Sequence, residues 1–213
     1  MGEIYLLRHG QTVANRDRVI QGPRIDAELS DLGLRQAASL GVALAGVGFG
    51  ALFSSPLLRA RQTAQVVAEA HPAQATLPLQ VVPELYEMDY GAFTGRTYDE
   101  VAGDLEQVLD AWKMGFVDEP FPGGESAVLA QHRIRPFLAR LVSQAQQGDV
   151  AVVAHGRINR VLIASLTGAG LTRLEEFPQS NASITQLEVG PGRVVVKRMN
   201  DTAHLDVTSE AFS

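Results

Sequence analysis

Several residue types are scarce or absent in this chain, and each of these gaps excludes some kinds of site or function. It has no cysteine, which excludes disulfides, thiolate nucleophiles and cysteine-based metal sites. Of its 18 basic residues only Lys113 and Lys197 are lysines, and the net charge is −6, so nothing indicates a surface for nucleic acid or an anionic membrane. No apolar run is long enough to span a bilayer and no secretory signal is visible. We therefore expect a cytoplasmic enzyme.

The chain has enough hydrophobic residues to form one large core. It has 213 residues, of which 46% are hydrophobic, and it has no repeat, linker or low-complexity segment. This length and composition predict a single domain over residues 1–213.

The order of apolar runs and helical periodicities predicts an α/β fold. Ser30 is a predicted N-cap, Ser55 and Pro56 are predicted to cap and start the next helix, and the tail after Asn200 is predicted to be peripheral. Residues 15–28 are predicted to form a loop. The predicted strands are 4–7, 51–53, 79–82 and 150–154, the predicted helices are 30–45, 55–70, 125–146 and 159–167, and a closing hairpin is predicted from 183–189 and 193–199.

Residues 84–125 interrupt this alternation with many glycines and prolines. The segment is rich in aromatic residues and contains one predicted helix, at 97–112. A long insertion of this kind is typical of a lid over a site, although it can also be a surface excursion that packs its own aromatic residues.

Two strands end in the same dipeptide. Residues 4–7 are followed by Arg8, His9 and Gly10, and residues 150–154 are followed by His155 and Gly156. In an open α/β sheet the carboxyl ends of the strands are where ligands bind, so both histidines should project to one edge. An imidazole beside a guanidinium suits a phosphoryl group, since one attacks and the other holds oxygens. The alternative is that the histidines only bond to backbone carbonyls.

Two further features refine this interpretation. Gly10 is predicted to leave room for the incoming group and to permit a tight turn. Arg59 falls in the first turns of a predicted helix, near a positive helix end that attracts anions. Arg61 lies roughly 200° further around that helix, so it is predicted to be a solvated neighbour.

The chain carries a series of motifs in order, at residues 6–12, 29–33, 36–37, 54–64, 85–87 with Gly91 and Gly95, 123–126 and 153–156. With these motifs, the sequence resembles the histidine phosphatase superfamily, in its phosphoglycerate mutase-like branch. The resemblance implies a three-layer α/β/α sandwich around a mostly parallel sheet.

The resemblance also implies roles for individual residues. His9 resembles the nucleophile that becomes phosphohistidine, and Glu87 resembles the proton donor. Glu84 and Asp89 compete for the donor role, and the family motif alone decides between the three carboxylates. The implied phosphate-binding residues are Arg8, Asn15, Gln21, Gly22, Arg59, His155 and Gly156. No metal or other cofactor is implied.

The chemistry of these residue types agrees with a phosphatase. His9 must attack as a neutral imidazole, and the surrounding cations would depress its pKa. Arg8, Arg59 and a protonated His155 can stabilise charge on the transferring oxygens without a metal. Glu87 can protonate the leaving group and then activate water.

We therefore predict a metal-independent phosphatase that acts on a small phosphorylated metabolite. The alternatives are a cofactor-dependent phosphoglycerate mutase and a non-catalytic phosphate-binding module. Two departures from the family pattern leave the substrate open: Arg157 replaces a small residue, and Ala92, Phe93 and Thr94 replace an aromatic–acid pair. The oligomeric state is also open, with a homodimer as one option.

Overall fold

The computed structural model describes residues 2–71, 77 and 79–206. Its strands are β1 (Glu3–Arg8), β2 (Phe49–Ser54), β3 (Leu79–Val81), β4 (Asp149–Ala154), β5 (Ile184–Gly190) and β6 (Arg193–Asp201). Its helices are α1 (Val13–Arg16), α2 (Asp31–Leu44), α3 (Leu58–Ala70), α4 (Ala102–Lys113), α5 (Ala127–Ala145), α6 (Gly156–Thr167) and α7 (Ala203–Asp206), with short 3-10 turns at Pro83–Leu85, Gly91–Phe93 and Leu171–Glu176.

The strands form one sheet in the order β3-β2-β4-β1-β5-β6. Strands β1 to β4 pair in parallel, and β5 pairs antiparallel with both β1 and β6. The mostly parallel sheet and the closing hairpin are thus confirmed. Arg8 at the end of β1 lies opposite Ala154 at the end of β4, so the chain leaves both strands at the same edge.

The central strands are apolar on both faces, as buried parallel strands require. Along β1, Ile4 and Leu6 pack into one hydrophobic cluster, while Tyr5 and Leu7 pack into the other. The first cluster lies with α4, α5 and α6, and the second lies with α2 and α3. The predicted three-layer sandwich is confirmed.

Residues 84–125 bury most of their aromatic side chains in the larger cluster. The ring of Phe121 lies 4.8 Å from that of Tyr90, 5.1 Å from that of Trp112 and 6.0 Å from that of Phe93, measured between centroids. The helix of this segment begins at Ala102, not at residue 97 as predicted. Instead, the side chain and amide of Thr97 bond to the carboxylate of Glu100 in a local turn.

Helices α1, α3 and α6 also begin differently from the sequence prediction. Helix α1 was missed because a single turn has no hydrophobic period to read, although Thr12 and Asn15 form a capping box there. Helix α6 begins directly after His155 and not at residue 159. Helix α3 begins after Leu57, so Ser55 is not its cap. Asp26 takes that place, accepting a hydrogen bond from the Leu58 amide at 2.6 Å.

The prediction that Gly10 makes room for a ligand is wrong. A Cβ atom at Gly10 would lie 2.4 Å from the carbonyl oxygen of Gly33, and one at Gly33 would lie 2.0 Å from the carbonyl oxygen of Gln11. The two glycines let the start of α2 pack directly against the chain that follows His9. Their role is to hold the backbone around the nucleophile candidate.

The remaining predictions on chain organisation are met only in part. Ser30 caps α2 as predicted, since its hydroxyl accepts a hydrogen bond from the Gly33 amide. Of the tail after Asn200, Asp201 belongs to β6 and α7 follows, while residues 207–213 lie outside the described residues.

Within residues 2–71, 77 and 79–206, no helix is long and apolar enough to cross a membrane.

Candidate active site

The ends of β1 and β4 bring His9 and His155 together, as predicted. Their ring centroids are 5.1 Å apart with an angle of 59° between the planes. The His9 amide donates to the Ala154 carbonyl at 3.1 Å, which ties the two strand ends to each other. The two residues are 3% and 0% exposed.

The backbone fixes the tautomer of His9. Its Nδ1 lies 2.7 Å from the carbonyl oxygen of Gly10. A carbonyl oxygen can only accept a hydrogen bond, so Nδ1 carries the proton and Nε2 keeps its lone pair. That lone pair is what a nucleophile needs.

His155 is held by a side chain that the sequence analysis assigned to another role. The Oγ atom of Ser55 lies 2.7 Å from Nε2 of His155. The Ser55 amide donates to the Val153 carbonyl at 3.0 Å, so pairing of β2 with β4 carries the hydroxyl to the imidazole. A serine before a proline is typical of a helix cap, and no local signal marks its contact with His155.

Two arginines are anchored beside the histidines through only part of their guanidinium groups. Arg8 donates from Nη1 to the Gln179 carbonyl at 2.5 Å. Arg59, which is 1% exposed, donates from its terminal nitrogens to the carbonyls of Gly22 and Ile25 at 3.0 Å each. Both Nε atoms are buried, and neither has a hydrogen-bond partner among the described residues. Each arginine therefore keeps donors for an anion.

Three further residues, Asn15, Gln21 and Gly22, were predicted to bind phosphate near the entrance of the site. Asn15 uses its Oδ1 to accept from Thr12 and from Asn181, whose amide also donates to the His9 carbonyl at 3.1 Å. Gln21 is buried, and its Oε1 is without a partner in the part of the chain that is described. Gly22 adopts a φ of 56°, which favours glycine, and it turns its carbonyl to Arg59.

Glu87 is the carboxylate that the fold turns into this site. It accepts hydrogen bonds from the amides of Met88 at 2.9 Å, Arg157 at 3.1 Å and Ile158 at 3.0 Å, and it is 8% exposed. Two of these amides belong to the first turn of α6, whose positive end attracts a carboxylate. A Cβ at Gly156 would lie 3.6 Å from the Arg8 guanidinium and 3.9 Å from Oε2 of Glu87.

The structure ties one of the competing carboxylates, that of Asp89, to another partner. Asp89 forms an ion pair with Arg24 at 2.8 Å and accepts a hydrogen bond from the Gly91 amide. Glu84 contributes its backbone carbonyl to Arg133. The geometry therefore supports the choice of Glu87 that the family motif made.

The electrostatics of the pocket keep both histidines uncharged. Burial and the nearby Arg59 and Arg8 hold the pKa of His9 well below its ordinary value, against a smaller opposing effect of its bond to Gly10. Burial, Arg59, His9 and Arg8 lower the pKa of His155 in the same direction. Burial also lowers the pKa of Arg59 to about 10, at which it stays charged at neutral pH.

These shifts predict a loss of stability in mild acid. Because each histidine has a lower pKa in the folded state, the unfolded state binds the proton first. The contribution of the two neutral histidines to the free energy of unfolding is therefore fully present above about pH 6.5. It decreases as the pH drops from there, by at most about 1.4 kcal/mol per pH unit for each histidine. Urea unfolding between pH 7 and pH 5 measures this slope.

A variant of a single histidine tests the assignment. His9→Asn should reduce the slope of the free energy of unfolding against pH by up to about 1.4 kcal/mol per pH unit, the contribution of one proton. An equal slope in the wild type and His9→Asn would contradict the buried neutral imidazole.

Arg157 is engaged in an ion pair. Its Nη1 bonds to Glu175, and Arg160 bonds to the other oxygen of the same carboxylate at 2.5 Å. Burial works against its charge, but Tyr90 and Glu175 outweigh that effect and raise its pKa. From the sequence, Arg157 could either reach the substrate or form a salt bridge, and the structure contains the salt bridge.

Comparisons with known proteins match the chain to the family that the sequence resembles. The model of the histidine phosphatase superfamily, branch 1, matches residues 4–202. Phosphoserine phosphatase 1 of Hydrogenobacter thermophilus is 30% identical over 211 residues, which cover 96% of this chain and 95% of the relative.

Two further relatives carry different names. A protein of Erwinia tasmaniensis named as a probable phosphoglycerate mutase is 28% identical over 215 residues, 98% of this chain and 97% of its own. Among solved structures, a mycobacterial glucosyl-3-phosphoglycerate phosphatase in complex with VO3 has a TM-score of 0.83 and 29% identity, and the match covers 95% of this chain and 100% of that one.

Proposed function

The chain belongs to the histidine phosphatase superfamily, as an enzyme of the phosphoglycerate mutase-like type, and on that premise we propose that it hydrolyses small phosphomonoesters through a phosphohistidine on His9. The observation that carries the proposal is the Nδ1 contact of His9 with the Gly10 carbonyl at 2.7 Å, because it leaves Nε2 as a free nucleophile. Phosphatases among the relatives support hydrolysis as the overall reaction.

In the first step, Nε2 of His9 attacks phosphorus and the bond from phosphorus to the ester oxygen breaks. Arg8 and Arg59 face the transferring oxygens with the guanidinium hydrogens that their anchors leave free. The departing alkoxide takes its proton from Glu87. We assign this transfer to Oε2, which accepts one amide, whereas Oε1 accepts two.

In the second step, water replaces the alcohol. The Glu87 carboxylate takes a proton from water, the water oxygen attacks phosphorus, and the bond from phosphorus to Nε2 breaks. Inorganic phosphate leaves, and His9 and the protonated Glu87 are restored. The positive charge that the reaction needs comes from protein side chains, which is why we propose a metal-independent reaction.

The alternative is a mutase, in which the phosphohistidine is kept from water while the substrate reorients. The segment 84–125 has Arg96 and Lys113 as its only basic residues against eleven acidic ones: Glu84, Glu87, Asp89, Asp99, Glu100, Asp104, Glu106, Asp110, Asp118, Glu119 and Glu125. Arg157 and Arg160, which could compensate, share Glu175. A multiply anionic bisphosphoglycerate would meet little net attraction here.

We therefore expect net phosphate release from 3-phosphoglycerate, primed with a bisphosphoglycerate, to be faster than its isomerisation. Phosphate release and formation of 2-phosphoglycerate are measured in the same reaction. A panel of phosphate esters assayed alongside ranks the substrates. Isomerisation much faster than phosphate release would replace the phosphatase proposal with the mutase and leave the site residues in place.

A further inference from the structure

The contact between Ser55 and His155 decides which nitrogen of His155 carries a proton. Both residues are fully buried, at 0% exposure each, and the Oγ–Nε2 distance is 2.7 Å. Ser55 Oγ also accepts a hydrogen bond from the Leu57 amide at 3.3 Å. A hydroxyl has one proton to donate and two lone pairs that accept.

Within the described residues, Nε2 of His155 is the acceptor that the structure offers to the Ser55 hydroxyl proton. If Nε2 instead carried a proton and donated it, Oγ would accept twice and its own proton would be buried without an acceptor. Such an unsatisfied buried donor is costly. When Ser55 donates to Nε2, the hydroxyl and Nε2 are both satisfied and the His155 proton lies on Nδ1, the one group of the pair that then has no partner among the described residues. In the other tautomer two groups would lack a partner, namely the hydroxyl proton and the Nδ1 lone pair.

We propose that Ser55 is a positioning residue that holds His155 in the Nδ1–H tautomer, so that a neutral imidazole donates a hydrogen bond to a phosphoryl oxygen. The inference rests on the proposed function, because it takes the ligand to be a phosphoryl group. It differs from the sequence-based expectation that a protonated His155 stabilises the transferring oxygens.

The atom that would donate is the one the protein leaves unused. Nδ1 of His155 is buried, and no described residue is its hydrogen-bond partner. Its ring lies 5.1 Å from that of His9, beside the point of attack. A phosphoryl oxygen bound at His9 would give this donor an acceptor.

The surroundings explain why a neutral donor is suited to this position. The charged and titratable groups that act on His155 are Arg59 on α3, His9 and Arg8 at the end of β1, and Arg133 on α5. Glu87 is committed to the amides of α6. A positive charge on His155 would be repelled by three guanidinium groups, whereas the Nδ1–H tautomer donates without acquiring charge.

The tautomer can be observed directly by proton–nitrogen NMR of the full chain labelled at histidine nitrogens, at neutral pH and without ligand. The His155 signals are those missing from His155→Asn. We expect Nδ1 to be protonated in the wild type and the proton to move to Nε2 in Ser55→Ala, where the hydroxyl donor is absent. A wild-type His155 protonated on Nε2 would overturn the proposal.

Ligand affinity supplies the second readout, with inorganic phosphate as the probe. Ser55→Ala should weaken phosphate binding by roughly 3- to 10-fold, the range of one lost neutral hydrogen bond, and should lower kcat/KM by about tenfold. Ser54→Ala is the matched control, because Ser54 is equally buried and its hydroxyl donates to the Ser55 carbonyl and not to His155. Ser55→Thr keeps the hydroxyl and should restore the wild-type tautomer.

The outcomes separate this inference from the proposed function. Loss of affinity in Ser54→Ala equal to that in Ser55→Ala would reduce Ser55 to a packing role and contradict the inference. Undiminished phosphate affinity in Ser55→Ala would do the same. The NMR result does not depend on turnover, so it stands or falls independently of whether His9 forms a covalent intermediate.

Discussion

Replacing His9 with alanine should abolish the covalent phosphoenzyme and lower kcat/KM by at least roughly 10³-fold, because the nucleophile that divides the reaction into two steps is gone. The protein already holds His9 in the neutral form that can attack phosphorus. Its Nδ1 bonds to Gly10, its pKa is depressed by burial, Arg59 and Arg8, and it is therefore neutral when substrate arrives.

The measurement is a rapid quench without acid, using a substrate with a good leaving group and a labelled phosphoryl group. In the wild type the trapped label should be labile to acid and stable to base, as a phosphoramidate is. His132→Ala, which removes an exposed imidazole, should behave as the wild type. Substantial hydrolysis surviving in His9→Ala would rule out the phosphohistidine route.

The position of the two histidines could be predicted because it follows from chain topology. Parallel strands that neighbour each other end at one edge, and the dipeptide His-Gly follows both β1 and β4. Arg59 was predictable for a similar reason, since the start of a helix attracts anions. Its bonds to the carbonyls of Gly22 and Ile25 were not, because they depend on the path of a loop.

Residues whose partners are distant in the sequence were assigned wrongly or only by resemblance. Ser55 has the local context of a helix cap, but its partner is His155, 100 residues away. Gly10 has the local context of a ligand turn, but the space beside it is filled by Gly33. In both cases the local pattern is genuine and the tertiary contact determines the role.

Glu87 could not have been selected from local sequence physics at all. Three carboxylates lie within residues 84–89, and nothing in their spacing shows which one turns inward. The choice is made by the amides of Arg157 and Ile158, 70 and 71 residues further on, which bind Glu87 at the start of α6. The resemblance to the family selects Glu87, and its contact with the start of α6 is consistent with that choice.

The second large effect is expected at this residue, and it should depend on the leaving group. An alkyl alkoxide needs a proton as it departs, whereas an aryl oxide leaves with little protonation. Glu87→Gln should therefore lose roughly 10²- to 10⁴-fold in kcat on alkyl phosphates and clearly less on aryl phosphates. Single-turnover rates on a matched alkyl and aryl pair give the two values.

The controls come from the neighbouring carboxylates, because Asp89 is paired with Arg24 and Glu84 bonds to Arg133 through its backbone carbonyl. Asp89→Asn and Glu84→Gln should change alkyl and aryl hydrolysis by the same small factor. The glutamine in Glu87→Gln presents an amide where Oε2 now accepts from the Arg157 amide, so some general loss is expected from displaced backbone. That loss affects both ester classes alike, and only the excess on alkyl esters measures proton donation. Equal losses on both classes would show that Glu87 orients α6 and that the proton comes from another group.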